Sequence, residues 1–299
     1  MTGNFYGQPT KTLENQHLRL EFLSESGPRL VRLFPAGSTE NLLAEVPAKD
    51  FETPYGTFHL WGGHRLWHAP EHYPRTYVPD NEGLEIEELP SGVRLTGPIE
   101  APTGLRKSIE ITLHPDRPAL TLRHFMSNQS LWPVELAPWA ITQLPLGGLM
   151  ILPQQIGPLD PQGLLPNRQI VLWPYTSLKD PRLQLNDDYV FIQAQAQVPP
   201  VKVGYLNRIG WLGYLHQNVL FCKRFEPQVD RSHVDFGCNV ESYCNDEFIE
   251  METVGPLTRL DPGVSLQHRE TWEIYPAAGF ESTPQRVRDL LLELKFSIR

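Results

Sequence analysis

Proline recurs along the whole chain, and no other feature narrows the fold as much. It accounts for 29 of 299 residues, about twice the roughly 5% of ordinary proteins. Its ring fixes one backbone torsion and removes the amide proton, so it interrupts helix interiors and central strands alike. A chain broken this often folds into short strands joined by turns rather than into long helices. Turn signals stand where that reading needs them, at Ser26-Gly27-Pro28, Pro35-Ala36-Gly37-Ser38, Pro90-Ser91-Gly92 and Asp261-Pro262-Gly263.

Between the turns, apolar and polar residues alternate. Leu18, Leu20 and Phe22 do so, as do Ile109, Ile111 and Leu113, and the runs 188–193 and 266–272 look alike. Period two is the mark of a half-buried strand, and the pattern recurs often enough to predict more than about ten strands. One helix is expected, at the C-terminal end. Thr283 would be its N-cap and Pro284 its first residue, with Val287, Leu290, Leu291 and Leu294 on one face. That face would clamp onto a sheet. The irregular, apolar stretch 157–181 reads as a lid or rim rather than a linker. With no repeat and no composition break, residues 1–299 read as a single all-β, antiparallel domain.

The formal net charge of −9 argues against nucleic-acid and anionic-membrane partners, which need clustered Lys and Arg. The most apolar window, Val134 to Pro153, is broken by Glu135, Pro138, Gln143 and Pro145 and predicts no membrane span. Met1 to Tyr6 carries neither the charged nor the apolar part of a signal peptide. Cys222, Cys238 and Cys244 are an odd set without CxxC spacing, which fits free thiols and a cytoplasmic setting. His64, His68 and His72 are spaced as metal ligands on a helix would be, but Gly62-Gly63 and Pro70 prevent a helix there. Neither a metal nor a cofactor is expected.

Four segments together resemble the galactose mutarotase-like superfamily of aldose 1-epimerases and hexose-phosphate mutarotases. The first runs Asn15-Gln16-His17-Leu18-Arg19-Leu20, Ser26-Gly27-Pro28-Arg29-Leu30 and Glu40-Asn41-Leu42-Leu43, similar to that family's opening hairpin. The second, Trp61-Gly62-Gly63-His64-Arg65-Leu66-Trp67-His68-Ala69-Pro70-Glu71, is similar to its paired-glycine segment. The third, Phe248-Ile249-Glu250-Met251-Glu252-Thr253, resembles the strand bearing the catalytic glutamate. The fourth, Leu260-Asp261-Pro262-Gly263 followed by His268-Arg269-Glu270-Thr271-Trp272, resembles the closing hairpin. The runs GGHRLWHAPE, IEMETVGP and LDPG also resemble those of a bacterial branch of the superfamily.

The resemblance implies a β-supersandwich with an open cleft and a small sugar as ligand. It implies Glu252 as the base that takes the anomeric proton. The family's acid is a histidine, and Trp139 stands at its position; an indole donates a hydrogen bond but exchanges no proton near neutral pH. A displaced acid, His64 or His68, would restore the pair. Arg65, Trp67, His68, Trp139 and Lys223 are the expected sugar-binding residues. Lys223 and Arg224 alternate, so either can point into the cleft, and Trp61 and Trp67 serve as core or as stacking platforms. Paired glycines before His64 suit a backbone that something approaches closely. Two readings stay open, a mutarotase using Glu252 with His64 and a sugar-binding protein without turnover; lyase or hydrolase chemistry is a third possibility on this fold.

Overall fold

The alternation builds two large sheets. The computed structural model describes residues 2–155, 157, 159–281 and 283–296; Met1, and residue 158 of the stretch 157–181, lie outside them. The eleven-stranded sheet runs in space Thr2–Phe5, Gln8–Glu14, Leu18–Leu23, Leu30–Pro35, His64–Ala69, Val134–Leu144, Ile249–Val254, Val240–Cys244, Val201–Tyr205 and Val171–Leu172, with Thr258–Leu260 also paired to Val134–Leu144. The ten-stranded sheet runs Leu183–Leu185, Tyr189–Gln193, Leu149–Pro153, Trp211–His216, Val219–Phe225, Ser265–Pro276, Ala119–Asn128, Leu105–Leu113, Gly92–Ile99 and Glu85–Leu89. A hairpin, Glu45–Thr53 with Gly56–Gly62, forms a separate two-stranded ribbon. Pairing between the central strands is antiparallel.

The two sheets enclose the main core. Leu18, Leu20 and Phe22 meet Ile109, Ile111 and Leu113 there, as their period predicts. Each such side chain contributes about 1.5–3 kcal/mol on burial. The helix Pro284–Glu293 lies outside the sandwich, setting Val287, Leu290 and Leu291 on Leu149, Ile151, Phe191 and Trp211 of the ten-stranded sheet. Its cover explains why Tyr189 to Ile192 is buried on both faces instead of alternating. Thr283 precedes the helix in extended conformation, and its hydroxyl makes no capping bond; its carbonyl instead accepts from the Val287 amide at 3.0 Å. The three cysteines are free and buried, and burial pushes their thiols up in pKa. No helix among the described residues is long and apolar enough to cross a membrane.

Candidate functional site

Three strands at the middle of the eleven-stranded sheet, His64–Ala69, Val134–Leu144 and Ile249–Val254, are flanked by Val240–Cys244 and Val201–Tyr205. Successive side chains leave a strand on opposite faces, so register decides which residues meet. Ile141 pairs with both Arg65 and Glu252, Trp139 with Trp67, Gln143 with Glu250, and Glu252 with Glu241. Arg65, Trp67, Trp139, Gln143, Glu241, Glu250 and Glu252 therefore share the outer face, and Lys202 joins them from its own strand. The same strands send His64, His68, Thr142 and Thr253 inward, between the sheets.

The outer face floors a cavity of about 400 Å³ walled by aromatic rings, including Trp67, Tyr77, Trp139, Trp173, Tyr175 and Tyr243. Trp173 and Tyr175 come from the irregular stretch 157–181. Glu252 does not reach this cavity: its side chain is 0% exposed. Its Oε2 accepts from Trp139 Nε1 at 2.7 Å and from Lys202 Nζ at 3.0 Å. The same ammonium lies 2.7 Å from Glu241 Oε2, with the Trp139 and Trp173 rings 4.7 and 4.6 Å away. Burial works against the Lys202 charge, but Glu241 and Glu252 outweigh it and hold the ammonium above its usual range. One cation serves two carboxylates. Burial first, and Glu252 with it, lifts Glu241 well above the carboxylate range despite Lys202.

Glu250 does line the cavity. Its Oε1 accepts from Gln143 Nε2 at 2.9 Å and from Arg65 Nη2 at 3.3 Å. Burial and the neighbouring Glu252 raise its pKa to about 7 against the pull of Arg65 and Lys202. The Arg65 guanidinium stacks 4.2 Å from the Trp67 ring, and its Nε and Nη1 are buried without hydrogen-bond partners among the described residues. A second cavity, about 610 Å³, shares Arg65 and Trp67 with the first. Its other cations are paired, Arg29 with Asp80 at 2.8 Å and Lys107 with Glu100.

The inward side chains form a different assembly. His64 Nε2 lies 2.8 Å from His124 Nε2, His64 Nδ1 is 2.8 Å from the Thr142 hydroxyl, and His124 Nδ1 is 3.1 Å from the His268 carbonyl. A carbonyl only accepts, so His124 carries its proton on Nδ1, His64 donates from Nε2, and Thr142 donates to His64. Thr253 donates to Glu270 and so receives the Nε2 proton of His268. Glu270 also takes the Trp272 indole at 2.9 Å and faces the Lys223 ammonium at 3.0 Å. Lys223 completes its three bonds on the carbonyls of Ala140, 3.2 Å, and Met251, 2.9 Å. Burial, and then neighbouring positive charge, keeps His64 well below its ordinary pKa, and burial first pushes His268 down to about 3. His64, His124 and Glu270 bring ligand atoms within 4.8 Å of one another. Lys223 already supplies the positive charge that Glu270 requires there.

Several expectations change accordingly. His64 and His68 were expected beside Glu252, and both face the other way, because Arg65 and Trp67 take the outer positions of their strand. Neither His68 nitrogen has a hydrogen-bond partner among the described residues. Lys223 belongs to the ten-stranded sheet and points between the sheets, and Arg224 points outward to Glu273 and Phe296. Neither enters the cleft. Trp61 packs on Phe5 in a small core of its own. The paired glycines serve the fold: a Cβ on Gly62 would stand 2.2 Å from the Ala44 carbonyl oxygen, and one on Gly63 1.9 Å from that of Leu30. Arg65, Trp67, Trp139 and Glu252 do meet on one face, although Lys202 covers Trp139 and both seal Glu252. Sequence reasoning missed Lys202 and Glu241, and passed over Glu250, whose two-residue offset from Glu252 places it on the same face.

No protein-family model and no curated protein matches the chain. Solved structures do. A TPR-domain containing protein from Parabacteroides distasonis superposes with a TM-score of 0.61 at 14% identity, covering 93% of this chain and 49% of that one. The chain thus spans about half the length of that protein. A candidate aldose 1-epimerase from Klebsiella pneumoniae gives 0.60 at 11% identity, covering 99% and 86%. A galactose mutarotase-like protein from Lactobacillus casei gives 0.55 at 11% identity, covering 89% and 100%. At these identities the likeness is one of fold, and it is spread over nearly the whole chain: this protein has the galactose mutarotase-like β-sandwich fold.

Proposed function

We propose that the chain binds a sugar in the aromatic-walled cleft and interconverts its anomers, with Glu250 moving the proton. The observation that supports this is the position of Glu250, a carboxylate on the cavity wall with a pKa of about 7. Pyranose faces are apolar and suit aromatic walls, with a few polar groups fixing orientation. Mutarotation transfers one proton from the anomeric hydroxyl to the ring oxygen as the bond between that oxygen and C1 breaks. The open aldehyde then turns and recloses with the reverse transfer. Both oxygens sit on C1, so one carboxyl can take the proton from the first and deliver it to the second. A group titrating near the working pH does this best. Glu252, held by Lys202 and Trp139, then braces the floor instead of acting as the base.

Sugar binding without turnover is the second reading, favoured by the sealing of Glu252 and by the inward direction of His64 and His68. Polarimetry or NMR on freshly dissolved α-sugars separates the two. Wild type should accelerate mutarotation, and Glu250→Gln should lose about a hundredfold, as expected for one proton-transfer group. A loss in Glu252→Gln with Glu250→Gln intact would return the base to Glu252. Saturable binding without acceleration would leave only the binding reading. No binding across a broad panel would remove both.

A further inference from the structure

The cavity wall carries five charged side chains, Lys49, Arg65, Glu71, Lys202 and Glu250, and each of its cations faces a carboxylate. Lys49 pairs with Glu247, Arg65 with Glu250 at 3.3 Å, and Lys202 with Glu241 at 2.7 Å and Glu252 at 3.0 Å. Glu71 forms no ion pair among the described residues and accepts only the Tyr77 hydroxyl. Glu250, 8% exposed, uses Oε1 for both of its bonds and leaves Oε2 unengaged among them. Beside it the Oε1 of the fully buried Gln143 has no partner. The wall therefore offers acceptors and the Glu71 carboxylate, and its spare cationic donors are the Nε and Nη1 groups of Arg65, whose charge already faces Glu250.

From this we infer that the sugar bound here carries a protonated amino group, held by Glu71 beside the Tyr77 ring. The inference rests on the sugar-binding reading above and names its substrate class. A phosphorylated or uronic sugar would bring its charge against Glu71 and would have to share Arg65 with Glu250, and like charges at close range reject a partner. An ammonium gains from the same surroundings, from Glu71 directly and from the aromatic faces around it. Burial first, then Glu71 and more weakly Glu250, raise the Tyr77 pKa against the pull of Arg65, and the phenol itself bonds to Glu71.

Titration calorimetry at mildly acidic pH, with the amine fully protonated, tests this. The probes are the 2-amino-2-deoxy forms of glucose and galactose, the parent hexoses, their N-acetyl derivatives, the hexose 6-phosphates and the hexuronates. The amino sugar of one series should bind about fivefold more tightly than its parent, the scale of one partly exposed ion pair. N-acetylation removes the charge and should remove the gain, and Glu71→Gln should abolish the ratio between amino and parent sugar. Salt should weaken the amino sugar more than the parent. Parent hexoses binding as tightly as amino sugars would overturn the inference and leave the sugar-binding reading intact. Preferred binding of phosphates or uronates would overturn it too, and a ratio surviving in Glu71→Gln would remove Glu71 from the role. Failure of every sugar to bind would take the sugar-binding reading down as well.

Discussion

The strand Ile249–Val254 holds two polar clusters apart, and they are built by opposite rules. Inward, Thr253 joins His64, His124, His268, Glu270 and Lys223 in a network where each proton has a stated donor and acceptor. Outward, Glu250 and Glu252 join Arg65, Gln143, Glu241 and Lys202 in a cluster with buried atoms left over, among them Arg65 Nε and Nη1, Gln143 Oε1, Glu241 Oε1 and Glu252 Oε1. A satisfied buried network fixes one arrangement of its neighbours, and a partly satisfied one is costly. The leftover atoms of Arg65 and Gln143 belong to residues that line the cavity, where a ligand is the remaining source of partners, while those of Glu241 and Glu252 lie behind its floor. The inner cluster serves register and the outer one serves binding.

The sharpest way to break this contrast is to remove one cation from each cluster. Lys223→Met strands Glu270 between the sheets and should cost about 3–5 kcal/mol, read as a lowered midpoint in urea unfolding. Lys202→Met should cost clearly less, since Glu241 already favours its protonated form and water enters from the cavity. Equal losses would erase the distinction.

Titration comes next in size, and the signs differ. His268 falls from 6.5 to about 3 on folding, so the unfolded chain binds its proton more readily. Its share of stability is present above about pH 6.5 and is lost as pH falls towards 3. Glu250 rises from 4.5 to about 7, so its share is present below about pH 4.5 and is lost as pH rises through 7. In melting curves against pH, His268→Gln should flatten the acid limb and Glu250→Gln the limb approaching neutrality. An unchanged acid limb in His268→Gln would deny the inner histidines their role.

Smaller still is the stability change of Glu250→Gln at pH 6. The folded protein holds Glu250 largely protonated there, so an uncharged amide should shift stability by no more than about 1 kcal/mol, while the mutarotation rate drops. The smallest effect expected is that of metal. With Lys223 in the cation's place, chelator should leave Tm where it is, and added zinc should not raise it. A zinc-dependent rise lost in His124→Leu would show the inner cluster to be a metal site.

Much of the fold was legible because apolar parity reports directly on which face of a strand is buried. The same period of two puts Arg65 with Trp67 and Glu250 with Glu252 on one face of their strands. The resemblance misled at His64 and His68, and Lys223 was open to either face, because this interior carries its own polar network and the direction of a polar residue does not follow from its type. The closing strand shows the inversion plainly: Leu266, His268, Glu270 and Trp272 share a face, and the two polar members are among the buried residues. The seal over Glu252 was out of reach for another reason. It depends on Lys202, brought in by a separate strand, and a single sequence does not report such pairings. The paired glycines signalled close approach correctly, but the approaching groups are the carbonyls of Ala44 and Leu30.

The order of strands in the cleft sheet also sets a timetable. Val134–Leu144 lies between His64–Ala69, made long before it, and Ile249–Val254, made more than a hundred residues after it. At about 5–20 residues per second, a ribosome leaves that middle strand with one side unpaired for roughly five to twenty seconds. Ala137, Trp139 and Ile141 lie along it, and an unpaired apolar edge of this kind recruits other chains. The nascent chain therefore spends that interval open to aggregation, and only the arrival of Glu250 and Glu252 closes the edge. Completion of the floor of the cleft and protection of the growing polypeptide are one event.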